Sequence, residues 1–320
     1  MTVSNVVNRR PHVRPATRDR VLAAISELGY QVNVTARSLR QGRTGVIGLA
    51  IPEVDRPYFG MLSGIVIERA AERGYDVVIE QTGLQRVGEM AAIHHSRLRS
   101  YDGLLLHATY LADEDAALLR TDYPIVVFGE RMYAAPVDHV VMANEEGGML
   151  AARHLLASGC RHPVMIGGRH WSGPLEAGSI RARGFVRELD ASGMAVDPPP
   201  LFDVGFNPDT GREAVHRIFG EGGVVDGIFC ATDYLAFGVL RGLADLGLRV
   251  PEDVCVIGFD DVPMAEFTMP SLSSISPNHT AMADAALDLI VGRINGTRAP
   301  GEYQEIVSEI SVVARESTAR

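Results

Sequence analysis

From residue 46 onward, short and almost uninterrupted apolar runs alternate with amphipathic stretches, and no other feature constrains the fold as much. The runs fall at 46–51, 77–79, 103–106, 125–128, 164–166, 227–230 and 254–258. The amphipathic stretches fall at 60–73, 87–99, 145–157, 180–189, 210–219 and 235–246. A strand without polar alternation has to be covered on both faces, as in a parallel sheet flanked by helices. The pattern therefore predicts an α/β fold. It repeats over more chain than one such sheet ordinarily spans, so two doubly wound parallel-sheet lobes are expected. Every apolar run is far shorter than the roughly 18 residues of a membrane span, and the N-terminal stretch holds no apolar segment of the secretory kind. No membrane partner is expected. Cys160, Cys230 and Cys255 are scattered and odd in number, which argues against a disulfide framework, and no Cys/His spacing suits zinc. These features point to the cytoplasm and to a chain without cofactor or metal.

The charge is uneven. The chain carries a net −10, yet residues 1–44 hold eight arginines against Asp19 and Glu27, a net +6 that leaves −16 on the remainder. A small basic head on an acidic body fits a module that binds a polyanion, joined to one that avoids it. All 30 basic residues are arginine along the whole chain, which reflects genome composition rather than a site. Within the head, Pro15 suits a first helical turn, Val21, Leu22, Ile25 and Leu28 share one face, and Gly29 supplies a stop. A short segment with Val3, Val6 and Val7 on one side precedes it, and residues 34–40 can form two further turns. These elements are too few to bury a useful core alone.

The segments TVSNVVN, ATRDRVLAAISELGY and ARSLR followed by TGVIGL resemble the recognition helix, third helix and hinge of the lactose-repressor (LacI/GalR) family of bacterial transcription regulators. Further similarity runs through CATDYLAFGVLRGLADLGLRVPEDVCVIGFDD and PSLSSI to the closing VVARESTAR, and so covers essentially the whole chain. The resemblance implies two lobes of the type I periplasmic-binding-protein kind, with a ligand cleft between them, behind a small all-α head. It also implies a homodimeric DNA-binding repressor whose two heads read a palindromic operator. The expected boundaries are 1–32 for the head and 33–45 for the hinge helix and linker. The first lobe is expected over 46–158 plus 276–303, and the second over 159–275 plus 304–320.

A helix presenting Thr2, Ser4, Asn5 and Asn8 offers short polar groups to a major groove, where Asn reads base edges and hydroxyls hold phosphates. By similarity, Asn5 falls on a base-reading position and Thr2, Ser4 and Asn8 near the DNA backbone. Leu39 and Arg40 match the hinge leucine that wedges between base steps in the minor groove and the basic residue beside it. Such a wedge costs about a few kcal/mol, offset by the bend it permits. The plainer alternative makes Leu39 the anchor of a short helix and the arginines a solvated face. In the family a further helix and tight turn precede the TVS segment, so the helix-turn-helix is expected to be incomplete in this sequence. A start assigned at an internal methionine accounts for this, with genuine truncation as the alternative. A form extended upstream is expected to bind operator more tightly.

Ligands of doubly wound sheets sit at the carboxyl ends of the strands. Asp233 and Asp260 follow two such strands, and Tyr58 and Phe59 follow the first. By resemblance, Arg181 in SIRARGF matches the arginine of the family's effector-binding motif, and Phe206 in VGFNP matches an aromatic that packs on the ligand. Arginine, aspartate and an aromatic face together suit a sugar-like effector. Each has a bland alternative: Asp233 as a helix cap, Arg181 as a surface residue, Phe206 as core. Asp261 is expected to be structural, and Trp171 is a weaker stacking candidate. Where family members carry Asp-Asn, this chain has Ala143-Asn144, which leaves one polar ligand contact open.

Enzymatic readings fare poorly, since the chain lacks GxGxxG, a Walker loop and GxSxG. His94-His95 lack the i, i+4 spacing of a zinc helix. Asp233 and Asp260 can imitate a glycosidase pair, but with an arginine between them they suit holding rather than cleaving. The resemblance thus implies a regulator whose operator affinity responds to a sugar-like effector. A cytoplasmic solute-binding protein with a vestigial head is the alternative.

Overall fold

The computed structural model describes residues 6, 13–27, 43–99, 101–111, 113–130, 137–170, 176–194, 199–299 and 301–320. The chain divides into two units, Met1–Thr44 and Gly45–Arg320. In the first unit, helix α1 spans Pro15–Glu27. Proline opens it where its missing N–H costs nothing, and the Arg14 carbonyl accepts from the amides of Thr17 and Arg18, both at 3.0 Å. Val21 and Ile25 are half-buried on this helix while Leu22 is exposed, so the expected apolar face is only partly used. Leu28 and Gly29 lie outside the described residues. So do all six residues expected at DNA: Thr2, Ser4, Asn5, Asn8, Leu39 and Arg40.

The second unit contains two sheets. The first lobe is built from β1 (Val46–Ile51), α2 (Pro57–Glu72), β2 (Asp76–Gln81), α3 (Arg86–Arg99), β3 (Gly103–His107), β4 (Ile125–Phe128) and β5 (Asp138–Met142). The chain then passes to the second lobe, with α4 (Asn144–Ala157), β6 (Pro163–Ile166), α5 (Ala177–Ala191), β7 (Leu201–Phe202) and α6 (Pro208–Gly220). This lobe continues through β8 (Gly227–Cys230), α7 (Asp233–Asp245), β9 (Cys255–Phe259) and β10 (Ser273–Ser276). Helix α8 (His279–Ile294) and β11 (Glu305–Ser308) return to the first lobe, and β12 (Ser311–Val313) ends in the second.

The first sheet has the order β11-β5-β4-β3-β1-β2 and is parallel throughout. The second has the order β12-β10-β9-β8-β6-β7 and is parallel except for the antiparallel edge strand β12. Period-two alternation explains the unbroken apolar runs. In β3, Leu105 packs in one layer with Leu62 and Val66 of α2, while Leu104 and Leu106 pack in the other with Ala92 and Ile93 of α3. Among the described residues, no helix is long and apolar enough to cross a membrane.

Two of the expected lobe boundaries need correction. Helix α4 was expected in the first lobe but packs on α5 in the second. A Cβ at Gly148 of α4 would lie 2.0 Å from the Arg181 carbonyl oxygen, and one at Gly184 of α5 would lie 1.9 Å from that of Glu145. The two glycines let the helix backbones touch, so the crossing between lobes falls at Ala143, before the helix. Residues 304–308 were expected in the second lobe, yet β11 pairs parallel with β5 in the first. Fully buried Asp138 holds that edge: Arg293 of α8 donates to it at 2.6 and 3.0 Å, and the Gln304 amide donates at 3.0 Å.

Candidate functional site: the cleft between the lobes

A cleft of about 390 Å³ lies where the carboxyl ends of both sheets face one another. Its walls come from residues just past the strands: Tyr58 after β1, His107 at the end of β3, Glu130 after β4, Phe206 after β7 and Asp260 after β9. Five of the six residues expected at the effector therefore meet here, namely Tyr58, Phe59, Arg181, Phe206 and Asp260.

Arg181 is the centre of the floor. It rises from the first turns of α5, whose start is fixed by a capping box between Glu176 and Ser179. It is only 3% exposed. Its Nε donates to Asn144 Oδ1 at 2.6 Å, Nη1 donates to the Ala231 carbonyl, and Nη2 lies 3.9 Å from Asp260 Oδ1. Cζ sits 3.4 Å from the centroid of the Phe259 ring. Burial lowers the pKa of the guanidinium, while Asp260 and then Glu130 oppose that shift. Asn144, the remaining half of the pair noted in the sequence, thus serves to orient the arginine.

Asp260 sits at φ 108°, a conformation that L-residues rarely adopt and that costs about 1–3 kcal/mol. Its amide donates to the Ile275 carbonyl at 2.9 Å, and its carbonyl is bonded by His279 Nε2, which holds the backbone there. The carboxyl is aimed at Arg181 and takes no hydrogen bond among the described residues. Burial pushes its pKa up to about 7, against the pull of Arg181 and with a further push from Glu130. Burial also raises Glu130, with the Arg181 charge and a hydrogen bond from Asn144 opposing.

The opposite wall is aromatic. Tyr58 and Phe59 open α2, their ring centroids 4.9 Å apart, and His107 lies 5.8 and 4.8 Å from them. Burial pushes His107 down to about 4, so it is neutral at physiological pH. Among the described residues, Tyr58 Oη and His107 Nδ1 are buried without a hydrogen-bond partner. Groups of that kind ordinarily find one, and both line the cleft. On the second-lobe side, Phe206 lies over Gly167 and Gly178, where added Cβ atoms would come within 3.1 and 3.0 Å of its ring. Arg56 Nη1 reaches across from the first lobe to the Phe206 carbonyl at 3.4 Å.

Asp233 is the exception. It is fully buried and does not line the cleft. Its Oδ1 accepts from Ser274 Oγ at 2.6 Å and its Oδ2 from the Val262 amide at 2.9 Å. A Cβ at Gly258 would sit 2.0 Å from Oδ1, so that glycine makes room for the carboxylate. Thr232, not Asp233, caps α7, accepting from the Leu235 amide at 3.2 Å. Asp233 therefore braces the loop after β9 and cannot flank a bond of a ligand in the cleft, which also removes the glycosidase-like pair. Asp261 is structural as expected, pairing with Arg315 at 2.7 Å. Trp171 lies outside the described residues, and His94 and His95 are exposed on α3, remote in chain position from the strand ends that build the site.

Sequence reasoning missed Glu130 and His107. Both stand at the carboxyl end of an apolar run already identified, so extending the strand-end rule to every run would have found them.

The comparisons agree with this architecture. Residues 152–318 match the periplasmic binding protein-like domain, and residues 1–33 match the bacterial regulatory proteins of the lacI family. The transcriptional regulator CelR of Thermobifida fusca is 33% identical over 329 residues, covering 99% of this chain and 94% of that protein. A solved CelR–cellobiose complex is 30% identical with a TM-score of 0.75, over 98% of this chain and 94% of that one. The lac repressor dimer bound to operator and the anti-inducer ONPF is 26% identical with a TM-score of 0.81, over 99% of this chain and 94% of that one. With both of its parts matched and a relative of this identity aligned along nearly its whole length, the chain belongs to the lacI family of bacterial transcription regulators.

Proposed function

We propose that this regulator is a cytoplasmic homodimeric repressor whose grip on a palindromic operator is set by a sugar bound between its lobes. The observation that carries the reading is the cleft itself. Tyr58 Oη and His107 Nδ1, which have no hydrogen-bond partner among the described residues, line the cleft together with the Arg181–Asp260 pair, with Phe206 to cover an apolar ring face. Contacts to both lobes make their relative orientation depend on the ligand, and the lobes lead by chain connection to the hinge. Thr2, Ser4, Asn5 and Asn8 are assigned to the major groove and Leu39 with Arg40 to the minor groove. Cellobiose in the CelR complex supports a sugar as the ligand class, and the dimeric lac repressor on its operator supports both partners. Exposed Met264, Phe267 and Met269 lie close together in the chain and offer an apolar face to a second copy.

The test is reciprocal titration. A palindromic duplex selected from random DNA is titrated with the protein, with and without cellobiose and other neutral sugars, and sugar affinity is then measured with and without that duplex. A true switch changes both affinities by one common factor, on the order of 5–150-fold. Identical operator affinity with every sugar that binds would overturn the reading.

A further inference from the structure

The connection that leaves β3 is held from behind by one carboxyl group. Glu89, in the first turn of α3, is fully buried and does not line the cleft. It accepts from three successive backbone amides. Oε1 takes Thr109 at 2.7 Å and Tyr110 at 3.0 Å, and Oε2 takes Tyr110 at 3.1 Å and Leu111 at 2.8 Å. Burying a carboxyl group is costly unless its oxygens are met in this way. A connecting segment ordinarily leaves its amides to water and moves accordingly.

The clamp is itself seated on the sheet. A Cβ at Gly88 would lie 1.7 Å from the Thr82 carbonyl oxygen, so the first turn of α3 touches the segment after β2. Thr82 in turn donates to the Ile51 carbonyl at the end of β1, from its amide at 2.8 Å and from Oγ1 at 3.2 Å. Arg86, three residues before Glu89, donates to the buried Asp115 farther along the same connection at 2.7 Å. Leu111 is fully buried beside Ala92 and Ile93 of α3.

The backbone at 109–111 is thus tied down while the side chains of Thr109 and Tyr110 line the cleft, Tyr110 being 39% exposed. A tyrosine at such a wall offers a ring face to the C–H face of a sugar and a phenol to one of its hydroxyls. That contact gains most when the ring is in place before the ligand arrives, because no ordering cost then falls on binding.

Resting on the cleft being a sugar site, we infer that Tyr110 contacts the effector and that Glu89 is the positioning residue that holds it there.

The experiment uses the full chain and whichever of cellobiose, glucose and ribose raises its melting temperature, with calorimetry for the affinities. Tyr110→Ala and Glu89→Gln are each expected to weaken that sugar about tenfold, the second because a side-chain NH2 then faces amide N–H groups. The double variant is expected to bind within about twofold of Tyr110→Ala alone, since nothing is left to position. Arg293→Met, which destabilises the same lobe from outside the cleft, is expected to leave the affinity within about twofold, so lost stability alone does not mimic the effect. Glu89→Asp, drawn back by one methylene, takes the place of Glu89→Gln if that variant does not fold. Hydrogen exchange on the natural chain needs no variant: the amides of 109–111 are expected to be protected although they lie outside any helix or strand. Unchanged affinity in either single variant, losses that multiply to about a hundredfold in the double variant, or unprotected amides would each overturn the inference and leave the cleft a sugar site. If none of the three sugars raises the melting temperature, the sugar reading of the cleft falls and this inference with it.

Discussion

Arg181 lies over the ring of Phe259, 3.4 Å from Cζ to centroid, and this contact joins the effector cleft to the core of the second lobe. The ring supplies a face that water cannot reach, and the stack is worth about 2 kcal/mol when desolvated. The arginine is therefore part of the fold as well as of the site. Arg181→Met removes the charge that Asp260 and Glu130 share and strips the Ala231 carbonyl and Asn144 of a donor. It is expected to cost about 3–5 kcal/mol in urea unfolding and to abolish sugar binding.

Asp260 and His107 tie stability to pH in opposite senses. Asp260 titrates at about 7 in the fold, against about 3.9 unfolded. Between those values the native state binds more protons, so stability falls as pH rises, by roughly 4 kcal/mol in all. His107 titrates at about 4 in the fold, against about 6.5 unfolded. There the unfolded state binds more protons, so stability rises with pH, by roughly 3 kcal/mol. The two nearly cancel from pH 4 to 6.5. Asp260→Asn should gain stability relative to the natural chain as pH is raised from 5 to 7.5, and His107→Gln should lose it over pH 5 to 6.5. Urea unfolding at stepped pH reads both; profiles parallel to that of the natural chain would refute the assignment.

Asp233 braces a loop rather than binding a ligand. Asp233→Ala leaves Ser274 Oγ and the Val262 amide without their acceptor, at a cost of roughly 3 kcal/mol. The sugar affinity of the folded variant, measured by calorimetry, should stay within about twofold of the natural value, since nothing in the cleft wall is removed. A large loss of affinity at full folding would return Asp233 to the site.

The edge of the first sheet depends on one buried ion pair. Arg293→Met leaves the Asp138 carboxylate fully buried with only the Gln304 amide, and should destabilise by about 3–5 kcal/mol. Hydrogen exchange should show β11 and the end of α8 losing protection first. Uniform loss across both lobes would contradict a role confined to that edge.

The sequence alone carried the fold class, because strands covered on both faces must be written as unbroken apolar runs, and six helices follow those runs close to the expected bounds. It did not carry the late returns of the chain. β10, with three serines in four residues, lacks the apolar signature, and β11 is an edge strand with exposed positions. The strand-end rule located Tyr58, Phe59 and Asp260 because it depends only on chain order, whereas Phe206 came from the family resemblance. Asp233 satisfies the same rule and yet turns away, since its oxygens find Ser274 and Val262, which no spacing from residue 233 foretells. Local pattern determines which segments become strands and helices. Which lobe a segment joins, and whether a carboxylate faces the ligand or the core, is decided by partners distant in the chain: the Gly148–Arg181 approach, the Asp138–Arg293 pair and the room left at Gly258.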